Sequence, residues 1–405
     1  MRQSHHGLVG ALLLALLLGG CSSLDLKPEV DDQVVMHKPV AEIPEAQLLD
    51  LWIELFDPGV LPEGEKAAQE GLSAEIRAAE ARFIPQHLRD VIERTGYWGA
   101  VRVVPRGNEG GESVVRGTIL ASDGSQLELN ITASDATGRT WFDQRYYSRL
   151  TAAEVEAALA AGSEPFEPLY ITIANDLAAF RDRLAEAEIR AIRRTAELRF
   201  AAAMAPAPFA DYLATDAQGR VTATRLPAHD DPMVRRIAAI RERDHLLLDT
   251  LNAHFDNFYR RMKPPYDEWR RARSAEATAL GEIERGALQR KLVGVAAILG
   301  AIALQASSNS SSRATNSVVR DVMVLGGVYA VKSGFDKDAE TVIHRDAIAE
   351  LGDSFSAEAQ PLVVEVEGEM HELTGTAETQ YAQWRELLKR IYAAETGLVP
   401  ADAAD

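Results

Sequence analysis

Cysteine is almost missing from this chain of 405 residues: there is one, Cys21. A single cysteine excludes an internal disulfide framework even in an oxidising compartment. Cations are scarce as well. Lys and Arg number 43 against 61 Asp and Glu, a formal net charge of −18. That balance excludes the clustered basic surface that nucleic-acid binding needs. It also argues against adsorption over a broad anionic lipid surface. Long apolar runs are absent too: Leu8–Leu18 covers eleven residues and Leu292–Leu304 thirteen, where a membrane span takes roughly 20. Catalytic signatures are missing in turn. There is no Gly-x-Ser-x-Gly elbow and no phosphate-binding Gly-x-x-x-x-Gly-Lys, and His371-Glu372 opens like His-Glu-x-x-His but has Gly375 in place of the second histidine. These absences point away from an enzyme, a bound metal and a dissociable cofactor.

What is present begins at the N-terminus. Arg2, His5 and His6 form a short polar start, the run Leu8–Leu18 follows, and Leu18-Gly19-Gly20-Cys21 closes it. A basic start, a short apolar core and small residues are the parts of a cleavable signal. The last four residues resemble the lipobox of bacterial lipoproteins. The resemblance implies a signal peptide over residues 1–20, cleavage before Cys21, diacylglycerol on its sulfur and an acyl chain on the new amino terminus. Two or more acyl chains anchor stably, where one holds only marginally. Ser22, rather than Asp, follows the cysteine, which by the same resemblance implies the periplasmic face of the outer membrane in a Gram-negative cell.

Residues 21–45 read as a lipidated tether, with Pro28, Pro39 and Pro44 among acidic residues and room for a short strand at Val34–Met36. Extended, such a stretch reaches about 80 Å. Residues 46–185 read as an α+β unit. Leu51–Phe56 alternates as a half-buried strand, and Ser73–Thr95 carries Ile76, Phe83, Leu88, Val91 and Ile92 at helical spacing, with Pro85 expected to kink or restart the helix. Strands follow at Ala100–Val104, Ser113–Ala121, Gln126–Ser134 and Arg139–Tyr147, with turn signals at Asp123-Gly124 and Thr137-Gly138. A helix over Pro168–Arg183 closes the unit. This order, with Leu51–Phe56 leading in and Asp135-Ala136-Thr137-Gly138-Arg139-Thr140-Trp141 near its end, resembles the periplasmic domain shared by the TolB N-terminus and the curli-secretion lipoprotein. The resemblance implies a small mixed or antiparallel sheet with packed helices. The rest of the chain is like uncharacterised proteobacterial lipoproteins.

From Thr151 the pattern is mainly helical, and residues 186–345 form a helical region. Thr151-Ala152-Ala153-Glu154 fits a capping box. Asp216–Leu226 reads as a small hairpin, and Asp231-Pro232 starts a helix to about Met262. Pro264-Pro265 separates it from a long helix over Tyr266–Leu304. Leu292–Leu304 and Val322–Val331, either side of a serine-rich tip, read as the arms of an apolar helical hairpin. Small residues recur along it at spacings of four: Ala296 and Gly300 on one arm, Gly326, Ala330 and Gly334 on the other. Such rows let helix backbones approach closely and resemble a glycine zipper. Arms of this length also suit ordinary buried helices, so core, self-association, a partner interface and membrane insertion all stay open. Residues 346–405 read as a short hairpin, Leu362–Val366 with Met370–Leu373, and a last amphipathic helix from Thr376 to about Ala394.

The polar clusters point to little chemistry. Asp244, His245, Asp249 and His254 fall on one helix, but only His245 and Asp249 share a face, and a metal needs three or more convergent ligands. The set reads as surface polarity, and Asp230-Asp231 as a helix cap. Arg260-Arg261-Lys263 and Arg270-Arg271-Arg273 read as solvated faces with carboxylate partners. The expectation is therefore an α+β envelope lipoprotein, non-enzymatic, held to the membrane by its lipid, acting with envelope proteins or with itself. A pore or secretion role for residues 292–331, and a hydrolase with an unfamiliar site, are the alternatives.

Overall fold

The computed structural model describes residues 29–61, 74–108, 110–228, 230–305, 362–366 and 369–397; at 276–277 and 279–305 it describes the helical backbone only. Strands β1 (Leu51–Glu54), β2 (Val101–Val104), β3 (Ser113–Ser122), β4 (Gln126–Asp135) and β5 (Thr140–Arg149) form one mixed sheet in the order β2-β1-β3-β4-β5. β3, β4 and β5 are an antiparallel meander whose tight turns are the expected Gly124 and Gly138, both at positive φ. β1 lies parallel to both β2 and β3 and separates them. With the helices this is an α+β fold. Two small antiparallel hairpins, β6 (Leu213–Thr215) with β7 (Val221–Ala223) and β8 (Leu362–Val366) with β9 (Glu369–Leu373), complete the described strands.

The helices are α1 (Ala74–Thr95), α2 (Ala152–Ala160), α3 (Glu167–Arg181), α4 (Glu186–Met204), a single turn α5 (Pro206–Phe209), α6 (Pro232–Gln305) and α7 (Ala377–Thr396). α2 begins with the full capping box at Thr151 and Glu154. Asp231 caps α6 through Met233 N at 2.8 Å.

Two expected breaks are not breaks. α1 runs unbroken through Pro85. A proline has no N–H, so the carbonyl four residues earlier, Ala81 O, loses its helical partner. Phe56 N, just past the end of β1, donates to that oxygen at 2.9 Å. The gap in the helix ladder becomes the joint between helix and sheet. Opposite it, Gly117 leaves room for the same aromatic ring: a Cβ there would lie 2.5 Å from Phe56 Cζ. α6 likewise passes through Pro264-Pro265 as one helix of 74 residues, about 110 Å long. The prolines lie on its outer side. Met262, Tyr266 and Trp269 on the inner side are buried and hold the helix against the body, and Lys263 bridges to Asp267 across the prolines at 2.8 Å.

The apolar core runs without a break from Leu49 through the sheet and α1, α3 and α4 to Phe258 and Trp269 on α6 and Tyr392 on α7. Each sheet edge is met by a group from another part of the chain. At β2, Asn252 of α6 accepts from Val103 N at 2.7 Å and donates to Val103 O at 2.9 Å, as a neighbouring strand would. At β5, Val30 N donates to Tyr147 O at 2.9 Å.

Candidate functional site

The most elaborate polar arrangement lies where α6 meets α1 and α3, and it is buried. Arg270 Nη1 donates to Glu164 Oε1 at 2.5 Å, with side-chain exposures of 1% and 2%. Burial pushes the Glu164 carboxyl up, but Arg270 and, more weakly, His87 and Lys263 together hold it below the usual range. Arg270 also stacks over the Tyr266 ring at 4.1 Å. Tyr266 Oη donates to Glu80 Oε1 at 2.6 Å, and Glu80 faces Arg77 Nε at 3.2 Å. Arg77 donates to Ile119 O and Ser122 O of β3. Two turns along α1 from Glu80, His87 sits between Tyr259 Oη (2.9 Å) and Glu167 Oε2 (2.7 Å), and Arg94 closes on the other oxygen of Glu167. Protonated or neutral, the imidazole satisfies both neighbours, because the tyrosine hydroxyl can donate or accept.

This clamp corrects the reading of Arg270 and Arg273 as a solvated patch; both are buried, at 1% and 5% exposure. Arg271, between them, meets the expected carboxylates, Glu156 and Glu268, at the surface. The signal was present in the spacing. Tyr259, Met262, Tyr266, Trp269 and Arg270 follow a three-and-four rhythm, so the arginine lies on the apolar stripe.

The histidine-aspartate set separates as its spacing implies, but not as surface polarity. Asp244 is fully buried and accepts from Tyr381 Oη (3.0 Å) and Arg385 Nη1 (3.2 Å), which fastens α7 to α6. Burial raises its carboxyl pKa against the pull of Arg385. Asp249 turns to Arg102 on β2, 2.6 Å from its Nε. His245 borders a cleft of about 680 Å³ between α4 and the start of α6. Leu198, Phe209 and Ile237 line the cleft with apolar groups, and Arg194 and Arg241 line it as well. Burial, then Arg102 and Arg241, push the His245 pKa down to about 4, so the ring is neutral near pH 7. Burial also lowers the His254 pKa. Among the described residues no three potential ligands converge on a metal position, and no helix is long and apolar enough to cross a membrane.

Of the residues singled out by sequence, Leu18, Gly19, Gly20 and Cys21 lie outside the described residues, as do Gly326, Ala330 and Gly334. Ala296 and Gly300 lie on α6. The chain that leads away from Cys21 is docked from Glu29 onward. His37 N donates to Asn175 Oδ1 at 2.8 Å and Asn175 Nδ2 to Val35 O at 2.9 Å. Arg193 binds Ala46 O and Arg181 binds Gln47 O. Residues 34–36 form no strand; Val35 O pairs with the Asn175 amide instead. The expected tether of about 80 Å is thereby shortened, because most of it, from Glu29 onward, belongs to the body. Compared with known proteins, the chain matches no family model, no curated protein and no solved structure.

Proposed function

We propose that the protein is a non-enzymatic envelope lipoprotein, anchored by acyl groups on Cys21 at the periplasmic face of the outer membrane, that works by assembling with envelope proteins or with copies of itself. One observation carries the reading: α6 is a single helix from the clamped body to Gln305. The uncharged run Leu292–Leu304 is therefore continuous with the helix that the clamp holds, with no proline hinge between them. The clamp supports it as well. Glu164, Glu80 and Asp244 are each engaged by an arginine or tyrosine inside the body, where they order helices.

Light scattering of the lipidated protein in detergent, beside a form lacking residues 292–331, tests the proposal. An assembly that falls to monomer without those residues supports it. Two well-folded monomers would overturn assembly through the arm. A ring that conducts ions across a planar bilayer would replace it with the pore-forming reading.

A further inference from the structure

The cleft between α4 and the start of α6 changes character along its length. Val234, Ile237, Arg241 and His245 follow one another at spacings of three and four on one face of α6, and all four line the cleft. The first two are apolar and the last two polar, so the row passes from oil-like to charged over about 17 Å. Leu198 of α4 and Phe209 of α5 add to the apolar lining. So does Leu226, a leucine left 54% exposed. The volume, about 680 Å³, lies within the range of about 300–1,000 Å³ usual for small-molecule sites.

The polar end holds one buried positive charge. The Arg241 side chain is 15% exposed, and its partner Glu197 stands 3.9 Å away at 61% exposure. Arg241 Nε is buried with no hydrogen-bond partner among the described residues. Two further carboxylates feel Arg241, but each is engaged elsewhere. Asp244 is held by Tyr381 and Arg385, and Glu112 by Asp50 N and Arg193. Beside Arg241 the ring of His245 is neutral near pH 7, because burial and then Arg102 and Arg241 push its pKa down to about 4. A neutral imidazole can donate to a ligand oxygen. Arg194, Glu197 and Glu242 also line the cleft, but from exposed positions that water screens. With two carboxylates against one guanidinium, that exposed set opposes a doubly charged head such as a phosphate monoester.

An apolar passage that ends at one buried guanidinium suits a linear chain with a single negative charge at its end. We propose that the cleft holds a free medium-chain fatty acid, with its chain along Leu198, Phe209, Val234 and Ile237 and its carboxylate on Arg241. The site needs neither the lipid anchor nor self-assembly, and it stands or falls apart from them.

The test is site-resolved photolabelling of the full chain in nonionic detergent. The probe is dodecanoate carrying a diazirine on its chain, and mass spectrometry maps the residues it marks. The expected result is labelling concentrated on the segments that carry Leu198, Phe209 and Val234–Ile237, displaced by unmodified dodecanoate and only weakly by dodecanol. Arg241→Gln should weaken the labelling about tenfold, the loss of one charge-assisted hydrogen bond. Ile237→Trp, which fills the apolar end, should abolish it while the helical circular dichroism stays as in the parent. Labelling spread over the surface overturns the proposal, and so does cleft labelling that survives in a folded Ile237→Trp chain. Equal displacement by dodecanol and dodecanoate would remove the carboxylate from the argument and overturn it as well. Displacement by lysophosphatidylglycerol at lower concentration than by dodecanoate would replace the free acid with a phospholipid chain. Should either variant fail to fold, the competition on the parent chain decides alone.

Discussion

Glu164 and Arg270 meet at 2.5 Å with almost no solvent around them, and the physics of such pairs is asymmetric. Removing one partner strands a charge in a poor dielectric, at a cost of about 3–5 kcal/mol, whereas replacing both with apolar groups is often neutral. Glu164→Leu is expected to lower stability by that amount in urea titrations, and Glu164→Leu with Arg270→Met to recover most of it. A double variant as unstable as the single would show that the cation's stacking on Tyr266 matters more than its charge. His245 allows a second experiment. Its folded pKa, about 4, lies below the ordinary 6.5 of the unfolded chain. The unfolded state then binds more protons between these values, so the contribution is intact above about pH 6.5 and is lost as pH falls toward 4. With allowance for partial solvent screening, His245→Gln should lose about 1–2 kcal/mol less than the parent between pH 7 and 4.5. Identical pH slopes would refute this. Neither effect was legible in the sequence. A lone Arg or His within a helical pattern shows its spacing, but not which element will cover it.

At the scale of elements, the sheet depends on side chains that imitate backbone. Asn252 offers Val103 both an acceptor and a donor, sealing the β2 edge that would otherwise be open to pairing with another chain. Asn252→Asp keeps the acceptor and sets a carboxylate against Val103 O. It should cost about 1–3 kcal/mol and raise hydrogen exchange at the Val103 amide; unchanged exchange would mean that the edge is held by other contacts. The elements themselves were largely readable. The meander β3-β4-β5, its two glycine turns, the capping box at Thr151 and the aspartate cap of α6 follow from local chemistry, and the structure has them within a residue or two. The prolines were not readable in the same way. Pro85 and Pro264-Pro265 carry the usual signal for a break, and the outcome depended on whether something outside the helix compensated. Phe56 N takes the freed carbonyl at Ala81 in the first case, and packing of Met262, Tyr266 and Trp269 spans the second.

At the scale of the molecule, the apolar core is shared by the sheet, by α1, α3 and α4, and by the α6 and α7 helices. Buried clamps cross from α6 to α1, to Glu164 just ahead of α3, to β2 and to α7. Such sharing predicts one cooperative transition for the body. Far-UV circular dichroism and tryptophan fluorescence should melt at the same temperature; two separated transitions would show that the helical region folds as a unit of its own. Where a chain makes its own short-range contacts, sequence decided the result here. Turns need glycine at positive φ, caps need a short polar side chain, and amphipathic faces repeat at 3.6 or 2 residues. The acidic balance and the lipobox-like run are also properties of sequence alone. Tertiary structure alone decided that β1 enters between β2 and β3, that residues 29–47 dock instead of swinging free, and that Asp244 and Arg270 are buried. Each of these joins partners from some fifty to well over a hundred residues apart. Local periodicity carries no record of such a partner.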